Sequence, residues 1–402
     1  MTLALDTSTL RNAARPAARA ASSDESGFAA RPPHLLHVFA SFGVGGVPVR
    51  ISTIINHFGR AYRHTIVALD GDENCARRLT GDADVTFHRV AVDKRRPLRT
   101  LWRFRADLER LRPELLLTYN WGAVEWGLIN RWRPVCRHVH MESGFGVEEA
   151  DGQIRRRAVL RRVALARAEC LVVPSHTLVD IAARQWRVPS VRIRHIPNGV
   201  DWRKYAAPPV AGVIPGFVKR HDEAIVGTLA PLRPEKNLAR LIHAFAAIRE
   251  PANVRLVIVG EGSDRAKLAA LVAALGLRER VVFAGHIHAP EQVLGWFDVF
   301  ALSSDTEQMP NSVIQAMAAA RAVAAVDVGD VKHVLAPANQ PFVVPKSDSA
   351  ALSDAIRRLL LQPSLRAAIG RDNQAHVRAH YDQQRMFAAY AKVFDGADSG
   401  RG

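Results

Sequence analysis

Cysteines and long apolar runs are both scarce in this sequence. The chain of 402 residues has only 3 cysteines, and none of them has the CxxC or Cys/His spacing of a metal site. That pattern argues against a disulfide framework and a zinc site, and it is typical of a reducing compartment. No run of about 18 apolar residues is present, which argues against a membrane-spanning helix. We therefore expect a cytoplasmic protein, soluble or peripheral to an inner membrane.

Acidic residues are also few relative to basic ones. Lys and Arg number 55 against 39 Asp and Glu, which gives a formal net charge of +16. Such a balance attracts anionic partners, and the basic clusters are Lys94–Arg96, Arg131–Arg133 and 155–162. The arginines of 155–167 spread around the predicted helix instead of forming one polar face. No aromatic RNA-binding motif or zinc-finger spacing accompanies the charge, so we predict an anionic inner-membrane surface and no nucleic acid as a partner.

Short apolar runs alternate with helical segments along most of the chain. The predicted strands of the first half are Leu35–Ala40, His64–Leu69, Val85–Val90, Leu115–Tyr119, Arg137–Met141, Leu171–Pro174 and Val191–Ile196. Those of the second half are Ala224–Leu229, Arg255–Val259, Val281–Ala284, Asp298–Leu302, Ala322–Val326 and Phe342–Val344. The alternation predicts an α/β protein of two Rossmann-like domains, with parallel sheets covered by helices and a cleft at the carboxyl ends of the strands.

The domain boundaries follow from breaks in this pattern. Residues 1–33 are rich in Ala, Arg and Ser, which predicts a disordered tail, and they lack the apolar core of a secretory signal. Pro and Gly residues interrupt the pattern at 206–221, which we interpret as a linker. The predicted domains are therefore 34–205 and 222–380, followed by a helical segment and tail at 381–402.

Residues 307–315 place a carboxylate, a helix start and an amide close together. The segment follows an apolar run, and Pro310 suits a first helical turn that Asn311 or Ser312 could cap. Free backbone N–H groups at that end would face a diphosphate. Glu307 could accept hydrogen bonds from sugar hydroxyls, and Gln315 is within reach of the same ligand. The alternative interpretation is an ordinary helix start beside a solvated glutamate.

This segment resembles the signature of the retaining GT-B glycosyltransferases of family four, also called group 1, in which two glutamates flank a Gly-x-Pro turn. Further landmarks of the family occur in the expected order, namely 42–46, 196–201, 227–237, 257–262 and 282–285. The resemblance spans roughly residues 35 to 395. It implies two domains facing across a cleft, and transfer of a sugar, with retention, from a nucleotide-diphosphate sugar to a polysaccharide or lipid-linked acceptor. It also implies a final helix that returns to the first domain, and neither a cofactor nor a metal.

The resemblance also assigns roles to residues of this sequence. Glu307, Lys236 and His140 correspond to catalytic positions, with Lys236 and Arg233 meeting the donor diphosphate. The implied donor-binding residues are Gly45, Gly46, Arg233, Lys236, Glu307, Met309, Pro310, Asn311, Ser312 and Gln315. Missing side chains at the two glycines would let the backbone approach the donor.

His140 lies in a segment similar to the His-x-Glu-x-Gly loop of the family, where its ring could bond a sugar hydroxyl or move a proton. His138 would point to the same face of the strand, so one of the two is expected to be structural. Glu142 of the same loop and Asn120 after the preceding predicted strand are expected on the acceptor side.

Three donor-site residues depart from the family pattern. Pro231 stands where relatives carry an arginine, Gln308 replaces a glycine, and Gln315 replaces the second glutamate. Proline can neither bind phosphate nor donate an N–H group, and an amide forms weaker hydrogen bonds than a carboxylate. These departures leave open a second hypothesis, a noncatalytic GT-B scaffold that serves another glycosyltransferase.

Two Asp-x-Asp pairs have the spacing of metal-dependent sugar transferases of another fold. Asp70 and Asp72, like Asp82 and Asp84, fall beside turn residues. We interpret all four as turn acids that do not lead into the cleft.

Overall fold

The computed structural model of the chain describes residues 31–93, 95–145, 147–149 and 152–396. The predicted tail therefore lies outside the described residues apart from 31–33, and so do Lys94 and residues 397–402. None of the helices in the described ranges has the length and apolar composition needed to cross a bilayer.

The first domain is built on a parallel sheet of seven strands in the order β3-β2-β1-β4-β5-β6-β7. Its strands are β1 His34–Phe39, β2 Arg63–Ala68, β3 Asp84–Phe87, β4 Leu115–Tyr119, β5 Arg137–Met141, β6 Cys170–Val173 and β7 Ile193–His195. The helices of this half are α1 Gly46–Phe58, α2 Pro97–Leu111, α3 Val124–Trp132, α4 Arg155–Leu165, α5 His176–Arg184 and α6 Trp202–Tyr205. Helices cover both faces, so most strand residues are buried.

The second domain has a parallel sheet of six strands in the order β10-β9-β8-β11-β12-β13. Its strands are β8 Ala224–Leu229, β9 Val254–Val259, β10 Val281–Gly285, β11 Val299–Leu302, β12 Ala322–Val326 and β13 Val343–Val344. Its helices are α7 Leu238–Ala246, α8 Arg265–Ala274, α9 Glu291–Leu294, α10 Asn311–Ala318, α11 Val331–Val334, α12 Ser349–Leu361 and α13 Pro363–His380. The prediction of two α/β domains with parallel sheets is confirmed.

The last helix, α14 Gln383–Asp395, packs against the first sheet. Its apolar residues share a buried cluster with residues of that sheet, and they are Met386, Phe387, Tyr390, Val393 and Phe394. Tyr62 donates to Asp395 at 2.8 Å, and Arg137 donates to two carbonyls at the end of the helix. The C-terminal helix therefore ties residues from the end of the chain to its first domain.

Several element boundaries differ from the predictions. Strand β3 runs from Asp84 to Phe87, so Asp84 is a strand residue and not a turn acid. Strand β7 begins only at Ile193, because Ser190–Arg192 form a 3-10 turn. Between Tyr205 and Ala224 the chain forms neither helix nor strand.

Polar side chains interrupt the apolar core of the first sheet. His37 on β1 lies between Tyr119 and His64, with ring nitrogens 2.8 Å from the Tyr119 hydroxyl and 2.9 Å from His64 Nδ1. All three side chains are buried. A chain of hydrogen bonds therefore crosses three strands inside the domain, and it gives partners to both nitrogens of His37, to His64 Nδ1 and to the Tyr119 hydroxyl, which would otherwise be costly to bury.

A second polar group lies on the neighbouring strands. The Thr118 hydroxyl is 2.9 Å from His138 Nε2 and 2.7 Å from His140 Nδ1. Helix α3 approaches the His138 ring at Gly127, where an added Cβ would lie only 2.3 Å from a ring atom. His138 is therefore a packing element between sheet and helix, as expected for one of the two histidines.

These histidines make the folded state sensitive to acid. Burial lowers the pKa of His37 well below its usual value, and it lowers the pKa of His64 to about 4 and of His138 to about 3. The unfolded chain takes up protons near pH 6.5, whereas the folded chain does not until the pH is far lower. The stability from these neutral rings is complete above about pH 6.5 and falls as the pH drops toward 4.

We predict that the free energy of unfolding decreases by up to about 1.4 kcal/mol per pH unit for each of these histidines as the pH falls below about 6.5. Urea unfolding followed by circular dichroism at several pH values measures this slope. His64→Gln should reduce this slope by the contribution of one histidine, whereas His221→Gln, at an exposed position, should leave the slope unchanged. Identical slopes for all three chains would contradict the assignment.

Candidate functional site

A cavity of about 1120 Å³ lies between the carboxyl ends of the two sheets. The first domain lines it with Val44, Gly45, Gly46, Asn74, Arg77 and Arg78. The second domain contributes the loops after four of its strands, at 229–236, 259–261, 286–288 and 307–315. Every residue predicted to bind the donor lines this one cavity, although their functional roles stay predictions.

Lys236 and Glu307 form an ion pair in the cavity wall. Lys236 Nζ lies 2.6 Å from Glu307 Oε1, and the hydroxyl of Ser304 donates to the same oxygen at 2.8 Å. Both charged side chains are mostly buried. Arg233 also lines the cavity, but it is exposed and has no acidic partner among the described residues. The second-domain wall therefore has a lysine that is paired with an acid and an arginine that is not, among the described residues.

The loops that carry this pair are fastened together by polar contacts. Asn237, in a left-handed conformation, caps α7 and donates to Asp305 at 3.1 Å. Arg240 pairs with Asp305 at 2.7 Å and donates to the Ser303 carbonyl at 2.8 Å. These bonds join the loop after β8 to the loop after β11, and so they hold the Lys236 and Glu307 backbones at a fixed separation.

Gly329 makes room for the backbone of the Glu307 loop. It has a φ of 54°, and an added Cβ would lie 2.1 Å from the Glu307 carbonyl oxygen. Both the dihedral angle and the contact favour glycine at this position. The position of the carboxylate therefore depends on a residue outside the recognisable motif.

Helix α10 begins one residue later than predicted, at Asn311. Pro310 precedes the helix in an extended conformation, and its carbonyl accepts from Val313 and Ile314. No side chain caps this end, so the prediction of a cap from Asn311 or Ser312 is wrong. The first N–H groups of a helix have no intrahelical partner, and these line the cavity.

Gln315 and the two glycines complete the donor wall. Gln315 lies beside the hydroxyl of the half-buried Tyr205. Gly45 precedes α1 and Gly46 begins it, and a Cβ added at either would meet no protein atom closer than 3.9 Å. Nothing in the protein itself requires glycine at these positions, so the space beside them is free for a ligand.

Asp330 of the second domain caps a helix of the first. Its carboxylate accepts from the backbone N–H groups of His176 and Thr177, at 2.5 and 3.0 Å, and from the Thr177 hydroxyl at 2.7 Å. These residues begin α5, where a negative charge is favoured. Asp330 is buried, so this contact joins the two domains beside the cleft.

Gln308 belongs to the same domain contact. The Ser175 hydroxyl donates to its side chain at 3.3 Å, and the Gln308 carbonyl accepts from the Asp330 N–H at 3.0 Å. Asn198 adds a bond to the Met309 carbonyl at 3.1 Å. The glutamine that replaces the usual glycine therefore contacts the first domain and does not line the cavity.

The structure does not bring His140, Glu142 and Asn120 into the cavity lining. His140 and Glu142 are fully buried, with His140 Nε2 3.8 Å from Glu142 Oε2. His140 Nε2 and Glu142 Oε1 have no hydrogen-bond partner among the described residues. Asn120 accepts from the Ser143 N–H at 2.8 Å and so braces the loop that contains Glu142.

The position of Arg161 differs most from what the basic cluster in the sequence suggested. Its side chain is 1% exposed, and it pairs with Glu142 at 3.2 Å and Glu149 at 3.1 Å. Aromatic rings pack around the guanidinium at 5.0 to 5.2 Å, namely those of Trp121, Phe145 and Trp186. The charge stabilises the loop after β5 and does not belong to the surface.

Sequence reasoning also missed part of the cleft wall. The loop after β2 does reach the cavity, through Asn74, Arg77 and Arg78, although the acids before it form turns as expected. Asp70 accepts from the Asp72 N–H, and Asp72 accepts from the Asn74 N–H. His286 and His288 line the opposite wall. Two adjacent arginines in the loop after a predicted strand were the available signal, but local sequence does not show which loops meet.

Comparisons with known families agree with this geometry. The family model for group 1 glycosyl transferases matches residues 214–376, and the model for a glycosyl transferase 4-like domain matches residues 45–199. The chain belongs to the group 1 glycosyltransferases. The resemblance to group 1 glycosyltransferases is thereby confirmed, whereas retention stays a prediction.

The similar proteins include transferases of several kinds. The chain is 22% identical over 250 residues to N-acetyl-alpha-D-glucosaminyl L-malate synthase of Bacillus anthracis, a match that covers 62% of this chain and 61% of that protein. It is 28% identical over 193 residues to the lipopolysaccharide core biosynthesis glycosyltransferase LpsD of Rhizobium meliloti, which covers 48% and 55% of the two chains. The matches thus span less than two thirds of these relatives.

Solved structures show that this family member has the GT-B fold. Anabaena HepE in complex with UDP and glucose superposes with a TM-score of 0.76 at 18% identity, over 90% of this chain and 100% of that one. Sucrose-phosphate synthase from Thermosynechococcus elongatus gives 0.75 at 20% identity, over 91% and 99%. Both neighbours align over nearly their whole length with this chain, whose two parallel sheets have seven and six strands.

We predict that Asp330→Ala loosens the two domains, because the start of α5 loses an acceptor for three hydrogen bonds. Small-angle scattering should give a larger radius of gyration, and proteolysis within 206–223 should accelerate. Bonds to a charged group contribute about 1.5–3 kcal/mol, so the shift should be measurable.

Asp327→Ala is the matched control, since Asp327 lies on the same loop with an exposed side chain. Asp330→Asn, which keeps one acceptor oxygen, should fall between the two. If folded Asp330→Ala has the same radius of gyration as the natural chain, other contacts hold the domains together.

Proposed function

We propose that the protein transfers a sugar, with retention of anomeric configuration, from a nucleotide-diphosphate sugar to a glycan or lipid-linked acceptor at an anionic membrane surface. The observation that carries this proposal is the Lys236–Glu307 pair, held at 2.6 Å beside the open start of α10 in an interdomain cavity. A cation, a carboxylate and free backbone N–H groups are what a sugar diphosphate needs from its binding site.

The charges of the cleft suit the bond that is broken. Departure of the nucleotide builds negative charge on the diphosphate and oxocarbenium character on the sugar. Lys236 and the unpaired Arg233 would stabilise the first, and a bound donor would draw Lys236 partly away from Glu307. The freed Glu307 carboxylate could then accept hydrogen bonds from the sugar hydroxyls.

His140 enters the proposal although it is buried outside the cavity lining. Its Nε2 atom and the neighbouring Glu142 Oε1 are buried without partners among the described residues, which is uncommon for polar atoms. A sugar or acceptor hydroxyl that reached them would satisfy both. Arg161 holds Glu142 in place and so would orient this pair indirectly.

Polysaccharide or lipid-linked acceptors are proposed because of the relatives. One similar protein acts in lipopolysaccharide core biosynthesis, by its name, and HepE was solved with UDP and glucose. UDP-glucose is therefore the first donor to examine. Arg77 and Arg78 add cations on the first-domain wall, which suits an anionic group on either substrate.

We predict that at least one sugar nucleotide from a panel of UDP-, GDP-, ADP- and TDP-sugars raises the unfolding temperature of the chain, because a ligand that binds only the folded state stabilises it. With that donor, Lys236→Ala should lower kcat by roughly 10² to 10³, as expected for one lost charge-stabilising donor. NMR of the product linkage tests retention.

Lys267→Ala, at an exposed position on α8 outside the cavity, is the control for general effects of losing a lysine. Unchanged turnover in Lys236→Ala would remove this residue from the mechanism. A product of inverted configuration would leave transfer intact but overturn retention.

The noncatalytic scaffold is the competing function, and Pro231 and Gln315 are the observations that favour it. Both line the cavity, and each lacks a charge that relatives are expected to carry there. Gln308 carries less weight, since its side chain is used between the domains.

We predict that Pro231→Arg with Gln315→Glu leaves donor affinity similar or lower, because Arg233 already lines the cavity and Gln315 lies beside the Tyr205 hydroxyl. Calorimetry on both chains with the donor found above measures this. If the residues reflect lost function, the restored charges should strengthen binding by about 1.5–3 kcal/mol each. Binding by the double variant alone would favour the scaffold.

A further inference from the structure

Three helices of the first domain carry exposed apolar side chains on their outer surface. Trp102 of α2 is 75% exposed and Trp132 at the end of α3 is 91% exposed. Leu98 on α2 and Val159 on α4 are 72% and 61% exposed. Large exposed apolar groups gathered on one surface usually mark an interaction site. We call this surface, formed by α2, α3 and α4, the outer helical face.

These residues belong to one continuous surface because hydrogen bonds connect the three helices around Trp132. Arg105 of α2 donates to the Arg133 carbonyl, directly after Trp132. Arg167, just after α4, donates to the Arg131 carbonyl, directly before it, at 3.2 Å. The peptide on either side of this tryptophan is thus fixed to a neighbouring helix, and its ring remains in solvent.

The apolar residues on the flanking helices point the same way. Leu98 and Trp102 are one turn apart on α2, and Arg105 follows within the next turn. Val159 and Val163 are one turn apart on α4, and Arg167 follows after the next. The exposed apolar residues of α2 and of α4 therefore each form a row that runs toward Trp132. Each row ends at an arginine that holds the backbone beside Trp132.

The charge around this surface is strongly positive. Exposed arginines border it, including Arg95, Arg99, Arg133, Arg156 and Arg162. Among the described residues of the three helices, Glu109 is the one exposed acid, and it pairs with Arg105. Tryptophan favours the boundary between lipid head groups and chains, and arginine favours anionic head groups. This combination matches a membrane surface better than another basic protein chain.

We infer that the outer helical face docks on an anionic phospholipid bilayer, with Trp102 and Trp132 inserted at the head-group level. The inference extends the proposed function, in which a lipid-linked acceptor would be found at the same surface. None of the cavity residues lies on α2, α3 or α4, so a bilayer against this face leaves the donor side of the cleft uncovered. The protein binds without a membrane-spanning segment among its described residues, as a peripheral protein does.

The test is sedimentation of the full chain with vesicles of phosphatidylcholine alone or mixed with phosphatidylglycerol. The natural chain should bind the mixed vesicles at low salt and weaken above about 0.15 M, where the screening length is about 8 Å. Trp102→Ser with Trp132→Ser should reduce binding about tenfold or more. Val191→Ser with Val218→Ser, at equally exposed valines outside these helices, should bind like the natural chain.

A second pair of variants separates charge from insertion. Arg99→Glu with Arg133→Glu should abolish the preference for phosphatidylglycerol, whereas Lys332→Glu with Arg371→Glu, the same charge change on exposed residues of the second domain, should largely keep it. The donor should raise the unfolding temperature of the tryptophan variant as much as that of the natural chain. If the donor stabilises none of the chains, the proposed function is contradicted and the docking face is not.

Equal binding by the tryptophan variant and the natural chain would overturn the inference, as would equal binding to neutral and acidic vesicles. If the natural chain instead dimerises in size-exclusion chromatography, binds no vesicles, and becomes monomeric in the tryptophan variant, the face is an interface between two copies and the lipid partner is wrong.

Discussion

The carboxylate of Asp330 at the start of α5 is the contact on which the geometry of the cleft depends. It belongs to the second domain and it satisfies three donors of the first, and the neighbouring Gln308 reaches Ser175 across the same boundary. Because Gln308 directly follows Glu307, the contact between the domains is one residue away from the carboxylate that we propose for sugar binding. The domain contact and the candidate site are thus one structural unit.

The two domains are stabilised in different ways. The second has a largely apolar core in which β8, β9, β11 and β12 are almost continuously hydrophobic. The first places histidines, threonines and the buried Arg161 between its sheet and helices. Such groups are costly unless every partner is present, so the loop after β5 can be rigid only while Glu142, Glu149 and the surrounding rings remain in place. That rigidity would suit a loop that positions His140.

The three residues that depart from the family pattern have different surroundings in the structure. Pro231 leaves the cavity wall with one cation fewer than the family pattern implies. Arg233 nevertheless lines the same wall with no acidic partner among the described residues, and Arg77 and Arg78 line it from the other domain. Gln308 is part of the domain contact. Gln315 lies beside Tyr205, whose helix precedes the linker. The three substitutions therefore do not form one pattern of lost function, which favours an adapted transferase over a scaffold.

The sequence by itself determined the two parallel sheets, nearly every strand, and the loops that carry Lys236 and Glu307, because strand periodicity and short motifs encode local conformation. The tertiary structure decided what depends on contacts between distant segments: the pairing of Lys236 with Glu307, the burial of Arg161 within an apparently basic surface helix, and the exposure of Trp102 and Trp132 on neighbouring helices. It also decided that His140 is buried and does not line the cavity. Local pattern cannot supply these, since a side chain's partner depends on how sheets and helices pack, and that packing joins residues far apart in the chain.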